Sequence, residues 1–354
     1  MKILLLCDFF SNYAGNFIPS LQNLESHLSE RGHETYYIFS TRNPSKDFFN
    51  WEKPFAETHK VKLMDFTKLS LINKVADFIK INNIDVVYGH FLGSFLLSQI
   101  KKNTPKSVKF YEHIHSAPFG NKKTFKAFLK RLRNFIFLEK IPKICNSNAI
   151  VKMTRYVYPC CSIDVCQNGI FLDRLTKNAF IRQKEFKVLL FGYNYYIKGV
   201  DVAIEALLKF NSKHSIMKLD IVFGDNLAKN TNIIIEKYGK IPENVFILEP
   251  IQNVSKLYKE HSVYLNASRS EGFSYANMES YYCGTMCVQS NIPANLEQNL
   301  PGTIYFKSGN SDSLLEALEK AYSIKDTYVN DLKHIEENKN IDIWSKTILK
   351  IIKL

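Results

Sequence analysis

Long hydrophobic runs are missing from this sequence of 354 residues. None approaches the ~18 apolar residues that a membrane-spanning helix needs, so we expect no such helix. The opening "MKILLLCDFF" is apolar but short, Asp8 interrupts it, and no small-residue cleavage site follows. This start predicts a buried strand rather than a secretion signal, and a cytoplasmic protein.

The sequence also lacks the paired cysteines of a disulfide framework. Its seven cysteines are an odd number, they are scattered, and no export signal accompanies them. Their spacing does not match a zinc site, because a nearby histidine or a second ligand pair is missing. We expect no metal site and seven buried, small apolar side chains: Cys7, Cys145, Cys160, Cys161, Cys166, Cys283 and Cys287.

Acidic residues are few relative to basic ones. Lysine and arginine total 47, aspartate and glutamate total 34, and the net charge is +13. Such a balance suits an anionic partner, namely nucleic acid, an acidic membrane or a phosphorylated substrate. The sequence contains neither the aromatic signature of RNA-binding domains nor a zinc module, so no nucleic-acid partner is expected.

Short apolar segments alternate with longer helix-like stretches in both halves of the chain. Examples are "KILLLCDFF" and "ETYYIFS" in the first half, and "KVLLFGY" and "SVYLNAS" in the second. Nearly continuous apolar runs of this length predict strands covered on both faces, and hence parallel sheets built from βαβ units. Two sets of such units predict an α/β protein with two doubly wound, Rossmann-like domains.

A polar segment between the two sets indicates the domain boundaries. We expect an N-terminal domain at residues 1–166, a linker at residues 167–186 and a second domain at residues 187–335. Residues 336–354 are amphipathic and predict a final helix that docks on another part of the chain. We expect that part to be the N-terminal domain.

The stretch "EGFSYANME" places two glutamates, Glu271 and Glu279, on either side of a predicted helix start. Glu271 follows the strand "SVYLNAS" at its carboxyl end, which is the edge where parallel sheets bind ligands. Gly272 permits close backbone approach, and the free N–H groups of the following helix favour phosphate. An ionised carboxylate accepts hydrogen bonds from two sugar hydroxyls, so the pair can hold both ends of a ligand around a diphosphate.

Residues 268–298, "SRSEGFSYANMESYYCGTMCVQSNIPANLEQ", resemble the signature region of family 4 glycosyltransferases, with Ser-x-x-Glu-Gly-Phe and a second glutamate eight positions after the first. "FGYNYYIKGVD" resembles the family's Gly-Arg-x-x-x-x-Lys-Gly-x-Asp loop. Further similarities extend over almost the whole chain. The resemblance implies a GT-B fold, in which two Rossmann-like domains face a central cleft. The second domain would hold most of a nucleotide-sugar and the first most of the acceptor.

The resemblance also implies roles for single residues. Lys198 neutralises the donor diphosphate, Glu271 holds the donor-sugar hydroxyls, and Glu279 holds the ribose. Tyr193 stands where the family has an arginine, so one cation is missing, and Arg269 is the candidate to supply it. The remaining expected donor contacts are backbone groups near Ile251 for the base, the amides of Phe273 and Ser274 for phosphate, and Gly15, Gly192, Ser268 and Gly272.

Two histidines in "EHIHSAP" lie at the end of a predicted strand, and we expect them to project to opposite sides. The resemblance implies a histidine in this loop near the sugar and the leaving phosphate. Either His113 or His115 fits, with His115 favoured, and His90 is a weaker candidate. The alternative is a core histidine satisfied by a hydrogen bond. These two histidines, Glu271 and Lys198 form the expected catalytic set.

Residues 121–140, "NKKTFKAFLKRLRNFIFLEK", are the most basic stretch and have apolar residues at helical spacing. A basic amphipathic helix with aromatic residues suits an anionic membrane surface. A core-packed helix with a solvated positive face is an equal alternative. The expected membrane or acceptor contacts are Lys122, Lys123, Lys126, Lys130, Arg131 and Arg133.

These features predict a retaining glycosyltransferase that needs neither a metal nor another cofactor, in agreement with the lack of a compelling Asp-x-Asp motif. The expected donor is a nucleotide-sugar, by family habit a uridine diphosphate sugar. The expected acceptor is a glycan or lipid-linked molecule of cell-envelope polysaccharide synthesis, at the inner face of the membrane. Two alternatives stay open: a sugar-nucleotide epimerase of the same fold, and a non-catalytic GT-B partner subunit. The second is supported by Tyr193, which stands at the position of the family's arginine.

Overall fold

The computed structural model describes residues 1–9, 11, 14–41, 51–68, 70–180, 185–214, 216–249, 251 and 253–354. These residues form two compact units. The first comprises Met1–Gly169 and Ile341–Leu354, and the second comprises Ile170–Asn340. Each unit contains one parallel sheet with helices, so the prediction of two doubly wound domains is confirmed.

Thirteen strands are present in the described residues. Seven belong to the first unit: β1 (Lys2–Cys7), β2 (Glu34–Ser40), β3 (Val61–Met64), β4 (Val86–His90), β5 (Lys109–Ile114), β6 (Lys143–Cys145) and β7 (Ile163–Val165). Six belong to the second: β8 (Phe186–Phe191), β9 (Met217–Val222), β10 (Val245–Leu248), β11 (Val263–Asn266), β12 (Met286–Ser290) and β13 (Ile304–Phe306). The strand orders are β3-β2-β1-β4-β5-β6-β7 and β10-β9-β8-β11-β12-β13.

Fourteen α-helices connect or flank these strands in the described chain. They are α1 (Phe17–Glu30), α2 (Glu52–Thr58), α3 (Leu71–Ile81), α4 (Ser94–Lys102), α5 (Phe125–Phe137), α6 (Asn148–Val157), α7 (Val200–His214), α8 (Leu227–Tyr238), α9 (Val254–Lys259), α10 (Tyr275–Tyr282), α11 (Pro293–Leu296), α12 (Ser311–Ile324), α13 (Leu332–Asn338) and α14 (Ile341–Ile352). None of them is long and apolar enough to cross a membrane.

Consecutive apolar residues in a strand serve two separate cores, one on each face of the sheet. In β1, Leu5 packs with α1 and α14, whereas Leu4 packs on the other face with α3 and α4. In β8, Leu190 and Leu189 divide in the same way between two cores of the second unit. Alternation along a strand sends neighbours to opposite faces, so a strand covered on both faces needs an unbroken apolar run.

The last helix, α14, packs on α1 of the first unit. Trp344 and Ile348 are buried in the core that also contains the apolar face of α1. At the rim of this contact, Asn23 donates to Asp342 (3.0 Å), and His27 Nε2 lies 2.9 Å from the same carboxylate oxygen. These two hydrogen bonds lower the pKa of Asp342 to about 2.

The chain passes between the units at two points, Gly169–Ile170 and Asn340–Ile341. Ile170 and Leu175, from the segment expected to be a linker, are buried in a core of the second unit, whereas residues 181–184 lie outside the described residues.

Among the cysteines, Cys160 is exposed and Cys161 half-buried, so the expectation that all seven are buried is wrong for these two. They lie in the turn after α6, where Cys161 packs only partly against the small core between α5 and α6.

Gly199 connects the loop after β8 to the loop after β11. Its φ is +67°, a left-handed conformation that side chains disfavour, and a Cβ at this position would lie 2.1 Å from the carbonyl oxygen of Ala267. Only glycine allows the two loops to approach this closely.

The substitution Gly199→Ala is expected to lower the free energy of unfolding more than Gly239→Ala. Gly239 also has a positive φ, +76°, but a Cβ there meets nothing within 4 Å. Both variants incur conformational strain of roughly 1–2 kcal/mol. Gly199→Ala adds a collision that costs about 1–3 kcal/mol more. Urea denaturation followed by circular dichroism measures both values, and equal losses would contradict the close approach.

Candidate functional site

The second sheet reverses its strand order between β8 and β11. From β8 the chain continues through α7 to β9 on one side, whereas β11 lies on the other side and leads on to β12. Open parallel sheets bind ligands beyond the carboxyl ends of the strands at such a switch point. The loops that follow β8 and β11 carry Lys198 and Glu271, so the structure brings these two sequence-predicted residues to one place.

Lys198 and Glu271 form a buried ion pair. The ammonium of Lys198 contacts Oε1 of Glu271, and only 11% and 10% of the two side chains are exposed. Ser268 donates its hydroxyl to the same carboxylate oxygen at 2.8 Å. Burial opposes the charge of the lysine, but Glu271 and Tyr193 outweigh it and raise the pKa of Lys198 above its ordinary value. Lys198 is therefore a cation at neutral pH.

Tyr193, the residue at the position of the expected arginine, lies beside this ammonium. The centre of its ring is 4.4 Å from Nζ of Lys198, within the range of a cation–π interaction. Half of Tyr193 is exposed. The tyrosine thus supports the lysine charge with its ring and does not add a second cation.

Arg269 is held by the loop after β8 and by the first turn of α7. Its guanidinium donates two parallel hydrogen bonds to Asp201, both 2.8 Å, and a third to the carbonyl oxygen of Tyr196 at 2.6 Å. The ring of Tyr196 lies 4.1 Å from the guanidinium carbon. The charge of Arg269 is balanced by Asp201, and its geometry fastens the two site loops together.

A buried cluster of side-chain amides supports the loop that carries Glu271. Asn266, the last residue of β11, donates to Asn277 (2.8 Å) and Ser274 (3.1 Å) and accepts from the backbone N–H of Ser268 (3.1 Å). The amide of Asn277 donates onward to Gln298 (2.7 Å), which donates to the carbonyl of Ser274 (2.7 Å). Sequence reasoning missed this cluster, although polar amides within otherwise apolar segments were a visible signal.

Glu279 is also buried and has partners in the protein. Arg174 donates to Oε1, and the hydroxyl of Tyr258 donates to Oε2 at 3.0 Å. Burial, followed by the charges of Glu271 and Glu279 among its neighbours, raises the pKa of the Tyr264 hydroxyl well above its ordinary value. Both predicted carboxylates thus raise the pKa of the same buried tyrosine of β11. Arg174 and Tyr258 carried no recognisable sequence signal.

The other expected donor contacts lie around the ends of several strands. Gly192 directly follows β8 and has no space for a side chain, because a Cβ would lie 2.8 Å from Val200. Phe273 precedes α10, with its ring 5.6 Å from that of Tyr275. Ile251 is 40% exposed in the loop after β10. Gly15 belongs to the first unit, where it has a φ of +56° between β1 and α1. Gly272 lies between Glu271 and Phe273 in the loop before α10.

In the first unit, His113 and His115 lie on the same side of the sheet, and the expectation that they project to opposite sides is wrong. Residues two apart in a strand share a face, and their rings stack with centroids 4.4 Å apart. His90, beside His113 in the sheet register, completes the cluster, with its Nδ1 3.1 Å from Nε2 of His115. Phe91 covers the cluster, stacked 3.9 Å from His115 with a φ of +60°.

The three histidines offer a set of ring nitrogens that sequence spacing did not indicate. One nitrogen from each lies within 4.8 Å of the other two, close enough for a shared metal ion. Nδ1 of His113 is 2.5 Å from the Tyr88 hydroxyl, while Nε2 of His113 and Nε2 of His90 have no hydrogen-bond partner in the described chain. Burial lowers the pKa of His113 to about 3 and the pKa values of His90 and His115 well below normal. At pH 7 the cluster is neutral.

Comparison with known proteins finds similarity to glycosyltransferases. The family model "Glycosyl transferases group 1" matches residues 173–341. The O-antigen biosynthesis glycosyltransferase WclY of Escherichia coli is 31% identical over 124 residues, which are 35% of this chain and 34% of that protein. The match therefore spans about a third of the length of this relative.

Solved structures share the fold of the whole chain. A glycosyltransferase from Rickettsia africae has a TM-score of 0.78 at 17% identity, covering 99% of this chain and 97% of that chain. Anabaena HepE in complex with UDP-glucose has a TM-score of 0.74 at 15% identity, covering 100% of this chain and 99% of that chain. The expected GT-B fold is thereby confirmed.

Replacing Lys198 by Met is expected to lower the free energy of unfolding by about 3 kcal/mol, because it leaves the buried Glu271 carboxylate with one hydroxyl partner. The double variant Lys198→Met, Glu271→Gln should recover more than half of this loss, since it removes the uncompensated charge. Urea denaturation of both single variants and the double variant gives the coupling energy. Purely additive losses would show that the two groups do not interact.

Acidification from pH 7 to pH 5 is expected to destabilise the first unit. An unfolded histidine binds a proton near pH 6.5, whereas folded His113 has a pKa of about 3. Between these values the unfolded state holds the extra proton, so each such histidine reduces stability by about 1.4 kcal/mol per pH unit as the pH falls. The variant His113→Asn should show a shallower dependence in denaturation series at pH 7, 6 and 5. Identical slopes would show that His113 is not buried in its neutral form.

Proposed function

We propose that this chain is a glycosyltransferase that takes a sugar from a nucleotide-sugar and transfers it to a glycan or lipid-linked acceptor. The observation that carries this proposal is the buried ion pair of Lys198 and Glu271 at the switch point of the second sheet. Both residues lie inside the segment matched by the glycosyltransferase family model. The relative WclY acts in O-antigen biosynthesis, which supports an acceptor in cell-envelope polysaccharide synthesis.

In the proposed binding step, the ion pair opens, and each of its two partners forms contacts with the donor instead. Lys198 moves its contact from Glu271 to the diphosphate oxygens, and Glu271 becomes free to accept hydrogen bonds from hydroxyls of the donor sugar. The raised pKa of Lys198 keeps the ammonium charged before the donor arrives. During transfer the same charge stabilises the negative charge that develops on the departing diphosphate. Tyr193 holds the ammonium in place through its ring.

The remaining donor contacts follow the strand ends of the second unit. Glu279, which Arg174 and Tyr258 contact, accepts hydrogen bonds from the ribose hydroxyls. Backbone groups near Ile251 bind the base. The backbone amides of Phe273 and of Ser274, which precedes the first turn of α10, approach phosphate. The bound UDP-glucose of HepE supports a uridine diphosphate sugar as the donor.

The proposed reaction retains the anomeric configuration and takes place without a metal ion. Lys198 and the first turn of α10 provide the positive potential that a divalent metal provides elsewhere. His115, on the first unit, is the proposed contact to the sugar and leaving phosphate. It would act as a neutral hydrogen-bonding group, because burial and its neighbours His113 and His90 hold its pKa well below normal. The proposed location is the cytoplasm, including the inner face of the membrane.

Purified protein is expected to bind a nucleotide-sugar and release nucleoside diphosphate slowly without an acceptor. A panel of nucleotide-sugars tested by thermal shift identifies the donor, because a ligand that binds only the folded state raises apparent stability, by about 2.7 kcal/mol at a concentration of 100 times Kd. Glu271→Gln and Lys198→Ala should each reduce nucleoside diphosphate release about 100-fold or more.

Lys237→Ala is the matched control, because Lys237 forms an exposed ion pair with Glu205 in the same unit. This variant should release nucleoside diphosphate at the rate of the unchanged protein. Binding of a nucleotide-sugar without any release would favour the non-catalytic partner subunit, and formation of an epimeric nucleotide-sugar would favour the epimerase. Full activity of Glu271→Gln or Lys198→Ala would contradict the assigned roles.

A further inference from the structure

Helix α5 packs on the first unit with its small and polar side, the reverse of an ordinary surface helix. Its buried residues are Ala127 and Asn134, and Asn134 donates to the carbonyl of Val157 at 3.0 Å. Arg131, on the same side, donates to the carbonyl of Tyr156 at 2.7 Å. Lys130 lies over the ring of Tyr158, 5.9 Å from its centre. These contacts fix α5 against α6 and determine which side faces outward.

The outward side of α5 consists of large apolar residues. At 100° per residue, most of them fall within an arc of about 120° opposite Ala127 and Asn134. The exposed set, each between 43% and 74% exposed, is Phe125, Phe128, Leu129, Leu132, Phe135, Ile136 and Phe137. The alternative from the sequence, a core-packed apolar face with a solvated positive face, is therefore wrong.

Cations border this apolar face at its N-terminal end and along one flank. Lys122 and Lys123 precede the helix, Lys126 and Arg133 lie along one flank, and all four are exposed. The guanidinium of Arg133 lies 5.6 Å from the ring centre of Phe95, which is itself 47% exposed and extends the apolar surface. No acidic residue is present in α5, so every charged side chain of the helix is positive.

We propose that α5 binds an anionic lipid bilayer and lies parallel to its surface, with the apolar face among the acyl chains and the flanking cations at the lipid head groups. The helix has 13 residues and is about 20 Å long, too short to cross a hydrocarbon core of about 30 Å. Apolar and aromatic residues on one side with cations beside them are typical of interfacial helices. The inference rests on the proposed function only in its consequence, which is access to a lipid-linked acceptor.

The charges favour an anionic lipid surface over a second copy of the chain. A second copy would bring the same cations against those of α5, since the net charge of the chain is +13. An anionic bilayer attracts each of these cations and buries all the apolar side chains at the same time. We therefore expect that neither the apolar nor the charged residues suffice alone for binding to an anionic bilayer.

Flotation with vesicles tests the proposal. The full chain is expected to bind vesicles of phosphatidylcholine with 30% phosphatidylglycerol, and to bind pure phosphatidylcholine vesicles at least 10-fold more weakly. The double variant Phe128→Asp, Leu132→Asp should lose binding to both, and Lys122→Glu, Lys126→Glu should lose most binding to the anionic vesicles. Circular dichroism checks that each variant folds.

Matched controls come from α3 of the same unit. Ile81→Asp changes an apolar residue that is 78% exposed, and Lys74→Glu, Lys80→Glu reverses two exposed lysines. Both should bind anionic vesicles like the unchanged protein. Absence of vesicle binding, or equal loss in these controls, would overturn the proposal. A dimer that the Phe128→Asp, Leu132→Asp variant dissociates, without vesicle binding, would assign the face to a second copy instead.

Release of nucleoside diphosphate in lipid-free buffer separates this inference from the proposed function. The Phe128→Asp, Leu132→Asp variant should keep the rate of the unchanged protein, because its substitutions lie outside the second unit. Loss of vesicle binding with normal release supports the lipid surface. Vesicle binding by a protein that releases no nucleoside diphosphate would reject the enzyme and leave the lipid surface intact.

Discussion

The ion pair between Lys198 and Glu271 is the interaction on which the candidate site depends. Its two side chains are 73 residues apart in sequence and meet because β8 and β11 are neighbours in the sheet. Either charge buried alone would cost several kcal/mol, so the surrounding contacts must hold both loops in register. Gly199 permits the close approach, Arg269 bridges to Asp201, and the amide cluster at Asn266 fixes the second loop. The stability of the two loops and the proposed binding of an anionic ligand therefore depend on the same contacts.

The strands and their parallel arrangement were predictable from sequence, because a strand covered on both faces needs an unbroken apolar run. Strands β3 and β7 lack this signal, since they contain four and three residues and are largely half-buried or exposed. The residue types at the site were also predictable, from the spacing of Glu271 and Glu279 and its resemblance to a known family. The partners of those residues were not, because Arg174 and Tyr258 reach Glu279 through tertiary packing alone.

Side-chain direction was the weakest part of the sequence analysis. The periodicity of α5 indicated which residues share a side, but the side that faces the protein depends on what α6 offers, and α6 offers backbone carbonyls that Asn134 and Arg131 satisfy. For the histidines, the expected side-chain direction was wrong. His113 and His115 were expected on different sides, yet a two-residue step returns a strand to the same face, where His90 joins them from β4.

The return of α14 to the first unit has a consequence for synthesis of the chain. The core beneath β1 contains Trp344 and Ile348, which leave the ribosome after the whole of the second unit. The second unit, Ile170–Asn340, is continuous and contains its own cores. The usual order, in which an N-terminal domain finishes folding first, is therefore inverted. The amino-terminal half must wait, with part of its interior uncovered, until α14 has been synthesised.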